Sequence, residues 1–227
     1  LSYHTPDYSK ANGTSTIDFP MHWAFKDASS AFGAAKGEDS LYNDATWAVT
    51  YVDSHDYGPD GQEKTRYQGG ASAWAENMDL MFTFRGIPCI YYGSEIEFKK
   101  DVPIDVGPNA PLDKTGRAYF GDHLEGSVTA NDYGKYTASG TVASTLDAPL
   151  SKHLEKLNQI RRAVPALQKG QYTTDSNYVD GNMAYIRRYT NSSVDSLACV
   201  TISGDATFQG LPNGTYIDAV TGDKKVV

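Results

Sequence analysis

Apolar positions change their spacing several times along this chain, and each change marks an element. Residues 47–52 (WAVTYV) are nearly all apolar, the pattern of a parallel strand covered on both faces rather than of an alternating, half-exposed one. The run stops on Asp53, Ser54, His55 and Asp56, where a buried strand would surface. In α/β architectures the carboxyl ends of strands handle ligands, so the His55–Asp56 pair is a site candidate. Upstream, Ile17, Phe19, Met21, Trp23 and Phe25 alternate, but Pro20 interrupts them. That predicts a short strand at about 15–19 and a helix starting near Pro20. Asp18 within this unit reads as a helix cap or loop anchor in preference to a catalytic acid.

Downstream of a glycine-containing loop over 57–70, Trp74, Met78, Met81 and Phe82 recur at helical spacing, predicting a core-facing helix over 71–84. Arg85-Gly86 breaks it, and a second apolar run, 87–92, ends at Gly93. Strand, helix, strand, helix, strand, with crossovers of this length, implies right-handed βαβ units in a parallel sheet. The stretch 94–147 is the least regular, and Tyr119 and Phe120 within it suit either a flat face for a sugar or a local core. Asp147-Ala148-Pro149 opens a helix whose Leu150, Leu154, Leu157 and Ile160 line one face, and Pro165 ends it. From Gly170 the texture becomes that of an antiparallel β-module, with Asp180-Gly181-Asn182 as a hairpin turn. The expected boundary between the two parts lies near 169.

Composition narrows the function classes. With 227 residues and 40% hydrophobic content there is enough chain for a sizeable core. A net charge of −8 argues against a nucleic-acid partner, which needs clustered Lys and Arg to neutralise phosphates. No window has the apolar length of a membrane span, and the first residues lack the basic and apolar regions of a signal peptide. The absence of an initial Met and the strand-like KKVV at the other end lead us to expect a piece of a longer protein. Cys89 and Cys199 form no metal spacing such as CxxC and read as two buried thiols rather than a bridge. Sequons at Asn12, Asn191 and Asn213 suit surface loops.

Two stretches together go beyond fold class. YVDSHD at the end of one strand, followed some thirty residues later by GIPCIYYGSE at the next and preceded by STIDFP, resembles the last strand signatures of the α-amylase family of retaining glycoside hydrolases. The resemblance covers essentially the whole chain. It implies that residues 1–169 are the C-terminal part of a catalytic (β/α)8 TIM barrel, from its sixth strand onward. Residues 170–227 would then belong to a C-terminal antiparallel β-sandwich-type domain, truncated at Val227.

Carried over by position, the resemblance gives His55 the role of binding hydroxyls of the sugar being cleaved. It gives Asp56 that of the third catalytic carboxylate, bonding the 2- and 3-hydroxyls and stabilising oxocarbenium character. Tyr91, Tyr92, Gly93 and Glu95 match the structural eighth-strand signature. After Asp56 the segment Tyr57-Gly58-Pro59-Asp60 departs from the family pattern, which often carries an arginine there; Arg66 lies further on. The nucleophile and the acid/base belong to the family's fourth and fifth strands, and neither motif occurs here. The resemblance therefore implies an α-glucan substrate, retaining hydrolysis of α-1,4 bonds, an N-terminal portion of the same enzyme as partner chain, and an extracellular setting. It allows calcium, with no ligands identifiable in this chain. Two alternatives stand beside it: a glucanotransferase or α-1,6-acting member of the family, and a non-catalytic carbohydrate-binding or structural fragment.

Overall fold

A computed structural model describes residues 6–132 and 134–227. His4, part of the polar N-terminal loop in the sequence reading, lies outside the described residues. Helix α1 (Phe19–Ala24) begins with Pro in its first turn and is capped by Asp18, whose carboxylate accepts from the Met21 amide. The expected single helix is two, because Asp27 caps a fresh start and α2 spans Ala28–Glu38. Strand β1 is only Val49–Thr50, helix α3 runs Ala71–Thr83, and β2 is Ile87–Pro88. β1 and β2 pair in parallel, and Ile17 bridges Val49 in parallel on the other side. The βαβ order read from the sequence is therefore present, with short strands.

Trp47 is not in the strand. It ends a 3-10 turn over Ala45–Trp47, which Asp44 initiates by accepting from the Thr46 amide, and it stands half-exposed. Cys89 is exposed, contrary to expectation, and Cys199 is half-buried; both are free. The cause for Cys89 is the sheet itself. With so few strands paired, one face has no cover, and Ile17 and Ile87 are 45% and 44% exposed. Burial does push the Cys199 thiol up, to about 11.

The irregular stretch holds more structure than its composition suggests. A hairpin of β3 (Ser127–Asp132) and β4 (Lys135–Ser139) is followed by α4 (Thr141–Asp147). Helix α5 (Pro149–Ala163) buries Leu150 and Leu157 as predicted and packs on α3, where His153 meets Asp79 at 2.7 Å. Pro165 ends α5 by starting α6 (Pro165–Lys169), since a proline lacks an amide to continue a helix but suits a first turn.

Beyond α6, β5 (Gln171–Thr173), β7 (Ala184–Thr190) and β8 (Asp195–Thr201) form an antiparallel sheet in the order β5-β7-β8. Between them, β6 (Val179–Asp180) turns away to pair with β9 (Thr207–Phe208). Asp180-Gly181-Asn182 is thus not a tight hairpin turn. The tight turn joins β7 to β8, where the Asn191 amide donates to the Val194 carbonyl and Asn191 Oδ1 accepts from two amides. A last hairpin pairs β10 (Thr215–Ile217) with β11 (Lys224–Val226).

One core runs through both parts. Phe25, Phe32, Trp74, Met78, Met81 and Phe84 pack with Tyr185 and Ile202 of the β-module. Two arginines, Arg187 buried and Arg161 half-buried, tie the same seam. Arg187 donates to the carbonyls of Gly170 and Thr83, and Arg161 to those of Phe82 and Gly86, so both satisfy carbonyls around the end of α3. Arg85 is fully buried between Asp18 and Asp39, and Asp39 also takes a hydrogen bond from the Tyr172 hydroxyl of β5. Removing the cation would strand a buried carboxylate. Arg85→Leu should therefore cost about 3–5 kcal/mol in denaturant unfolding, and a loss below about 1 kcal/mol would mean that the Asp18–Arg85 pair is not a structural tie.

Candidate active site

The segment after β1 explains where its side chains go. Asp53, four residues past Val49, is buried and accepts from Arg66 Nε at 2.9 Å, from the Tyr67 amide at 3.1 Å and from the Ser94 hydroxyl at 3.0 Å. Next, Ser54 closes a tight turn on itself. Its hydroxyl accepts from the amides of Asp56 and Tyr57, while its own amide donates to the Tyr57 carbonyl. Between these two anchors, His55 and Asp56 are forced out into solvent, their side chains 66% and 54% exposed.

There the two meet, His55 Nε2 lying 3.1 Å from Asp56 Oδ2. Arg117, from the long loop, holds the pair from the other side. Its Nε donates to the His55 carbonyl at 2.8 Å, one terminal nitrogen lies 3.6 Å from Asp56 Oδ1, and the other donates to Asp105 at 3.0 Å. A carboxylate offered between an imidazole and a guanidinium keeps its lone pairs for hydroxyl donors, and the imidazole can donate in turn. This is chemistry suited to a polyhydroxylated neutral ligand. Beside it runs a ridge of rings: Phe19 stacks on Trp23 with centroids 6.2 Å apart, and Trp23 meets Tyr57 edge-on at 5.5 Å.

Arg66 does not serve as a ligand-facing arginine. It is fully buried, donates to Gly116 and Tyr92 carbonyls and to the Ser94 hydroxyl besides Asp53, and stacks 4.4 Å from the Tyr91 ring. Gly93 makes the turn after β2, with φ at +83° and the Phe98 side chain 2.6 Å from where a Cβ would sit. Ser94, not Glu95, supplies the side-chain tie between segments; Glu95 accepts from Ser151 through its backbone carbonyl. Tyr119 and Phe120 differ in burial, and only Phe120 joins a local core. Tyr119 is 74% exposed, while Phe120 is buried against Tyr92, Phe98 and His123.

Sequence reasoning missed Arg117 and the Asp53–Arg66–Ser94 cluster. The only local signal was Gly116-Arg117 inside a long loop, and the packing explains it: Gly116 lies so close to Arg66 that an added Cβ would sit 2.8 Å from its Cγ. Among the described residues, no group of three or more His, Cys, Asp or Glu side chains stands together as a metal site. Among them, too, no helix is long and apolar enough to cross a membrane.

His22 supports the site from below. It is fully buried, stacks on Tyr51 with ring centroids 4.0 Å apart, and its Nδ1 faces the Tyr51 carbonyl at 3.4 Å. Burial lowers its pKa from 6.5 to about 4. Below pH 6.5 the unfolded chain takes up a proton that the folded chain refuses, so stability should fall as pH drops toward 4, by on the order of 3 kcal/mol. Urea unfolding followed between pH 7 and 4 checks this. The slope should flatten in His22→Phe, and an unchanged slope there would assign the acid limb to other groups.

The comparisons bear on the whole arrangement. No family model matches the chain. Among curated proteins it is similar to an alpha-amylase from Streptomyces lividans, 28% identical over 257 residues that span 99% of this chain and 27% of that protein. It is also similar to a cyclomaltodextrin glucanotransferase from Paenibacillus macerans, 26% identical over 192 residues, 81% of this chain and 21% of the relative. The chain thus spans about a quarter of the length of these relatives. Among solved structures, an alpha-amylase from Geobacillus thermoleovorans in complex with acarbose superposes with a TM-score of 0.58 at 15% identity, covering 94% of this chain and 44% of that one. CldA, a cyclomaltodextrin glucanotransferase with a three-domain ABC distribution, does so with 0.59 at 19%, covering 95% and 39%. At such identities the structural likeness speaks for the fold alone. Together with the relatives and the paired strand-end motifs, it shows a chain similar to the C-terminal portion of alpha-amylase family proteins.

Proposed function

We propose that this chain is part of an alpha-amylase-type glycoside hydrolase that cleaves α-1,4-glucosidic bonds of starch-like glucans with retention. Residues 1–169 form part of its (β/α)8 barrel and residues 170–227 part of a C-terminal β-domain. The observation that carries the reading is the exposed His55–Asp56 pair at the C-terminal end of β1, braced by Ser54 and Arg117. In this reading Asp56 accepts hydrogen bonds from the 2- and 3-hydroxyls of the sugar at the cleavage point, and His55 donates to a neighbouring hydroxyl. Hydrogen bonds near the 2-hydroxyl strengthen as the ring gains oxocarbenium character, which is worth several kcal/mol in the transition state.

The nucleophile and the acid/base come from the remainder of the enzyme. The uncovered sheet face, with Ile17 and Ile87 exposed, supports a neighbour there, since barrel strands are satisfied only when the sheet closes. That neighbour is the N-terminal portion of the same enzyme, and the setting we assign is extracellular. A second reading, glucanotransferase, draws on the cyclomaltodextrin glucanotransferase relatives. The two chemistries share the covalent step and differ in whether water or a sugar hydroxyl takes the glycosyl group.

In the complete enzyme, Asp56→Asn should lower turnover of soluble starch by at least about a hundredfold with the unfolding transition unchanged. Turnover within a few-fold of the parent would refute the role. Product analysis with and without added maltose separates hydrolysis from transfer, as a transferase makes elongated acceptor its main product and a hydrolase free reducing ends.

A further inference from the structure

A groove of about 440 Å³ opens at the N-terminal ends of the parallel strands, lined by Tyr8, Leu41 and Trp47 together with Asn12, Gly13 and Thr14. Trp47 lies just before β1, and the Thr16 carbonyl accepts the Val49 amide, which ties the polar segment 12–16 to the strand. That segment carries one of the two Asn-Gly pairs in the sequence, and both occur as Asn-Gly-Thr, at 12–14 and at 213–215. The two copies allow a comparison within one molecule.

An asparagine followed by glycine is arranged for an intramolecular reaction. The next backbone nitrogen, once it has lost its proton, attacks the side-chain amide carbon; the N–Cγ bond forms, the Cγ–Nδ2 bond breaks, and ammonia leaves from a five-membered succinimide. Water then opens the ring at either carbonyl and gives aspartate or isoaspartate. One water is consumed and one ammonia released, so the solvent is the sole co-reactant. Glycine favours the attack because, without a Cβ, its nitrogen is unshielded and the backbone turns freely.

Both pairs are exposed, so exposure does not separate them. The nucleophile does. The Gly214 amide donates to the Val227 carbonyl at 3.0 Å and the Val227 amide donates back, at the open end of the β10–β11 hairpin. A nitrogen held in that ladder can attack only after the hairpin opens. The Gly13 amide donates to no group among the described residues, and a Cβ built on Gly13 would meet no atom within 4 Å. The electrophile is prepared as well. Asn12 Oδ1 accepts from the Thr14 amide at 2.9 Å, a donor already aimed at the oxygen on which negative charge builds as the nitrogen adds. Residues 11–16 lie outside helix and strand, so the reaction needs no unfolding of the core.

We infer that Asn12 is a self-modification site, which converts to aspartate and isoaspartate in the folded protein, while the fold protects the identical pair at Asn213. The inference is independent of the glucan reading. Conversion adds a negative charge to a chain already at −8 and places it in the groove beside Trp47. Isoaspartate also inserts a methylene into the main chain just ahead of the Thr16 contact with Val49. The converted fraction records the time that the folded molecule has spent in water.

The test incubates the complete enzyme, made in a bacterial host without N-glycosylation, at mildly alkaline pH and maps its peptides by mass spectrometry over time, with an isoaspartyl methyltransferase assay on each. In the folded enzyme Asn12 should convert about tenfold faster than Asn213 or more, and in urea the two rates should converge because the tripeptides are identical. An Asn213 rate equal to or above that of Asn12 in the folded enzyme overturns the inference, as does an Asn12 that reacts only in urea. A difference that persists unchanged in urea overturns it too, since flanking sequence and not the fold would then be its cause.

Discussion

The buried Asp53–Arg66 ion pair is the constraint on which the candidate site depends. Two charges taken out of water at 2% side-chain exposure are tolerable only if they are paired and well supplied with hydrogen bonds. Here that demand is met by drawing in four separate stretches of chain. Asp53 supplies the end of the β1 segment, Arg66 and Tyr67 the loop before α3, Tyr92 and Ser94 the turn after β2, and Gly116 the long loop. Because Gly116 is fixed against Arg66, its neighbour Arg117 arrives at the His55 carbonyl and beside Asp56. The exposed pair owes its position to a buried one. Electrostatic satisfaction below the surface thus sets the geometry of chemistry above it.

A similar device holds the lower half. Asp18 caps α1, accepts from Tyr42 and pairs with Arg85, which lies two residues past the end of α3 and donates to the Ala35 carbonyl of α2. Asp39 extends this cluster to Tyr172, so the β-module is attached by polar contacts as well as by Tyr185 and Ile202 in the common core. Buried ion pairs add little over well-packed apolar groups but are costly to break singly, which makes them register devices more than sources of stability. The strands here are only two residues long, too short to fix their own register through backbone pairing. The side-chain clusters supply what the ladders lack.

What could be read from the sequence follows from which interactions are local. Helix α3 and helix α5 were legible because their apolar stripes recur every three to four residues, and Asp18 was legible as a cap because capping is decided within one turn. The β3–β4 hairpin was missed because its burial is minimal: β3 is exposed throughout and only Tyr136 and Ala138 of β4 are half-buried. Trp47 was misplaced because an apolar run does not distinguish a strand from the turn that feeds it. Arg117 was illegible for a different reason. It sits 62 positions from the His55 carbonyl it binds, and nothing near it in the chain announces that partner.

Burial is unevenly distributed, and the unevenness carries functional meaning. The α3 and α5 side of the sheet is covered to completion, with Met78, Leu80 and Met81 wholly inaccessible. The other side leaves Ile17 and Ile87 open at the centre, aligned across β1 by the register that pairs Val49 with both. Residues of such size on a strand carry an apolar driving force of about 25 cal/mol per Å² for whatever covers them. The aromatic ridge of Phe19, Trp23 and Tyr57 adjoins the loop that carries His55 and Asp56, whereas the Trp47 groove lies at the far ends of the same strands. A cover over the central face would therefore leave both ends accessible.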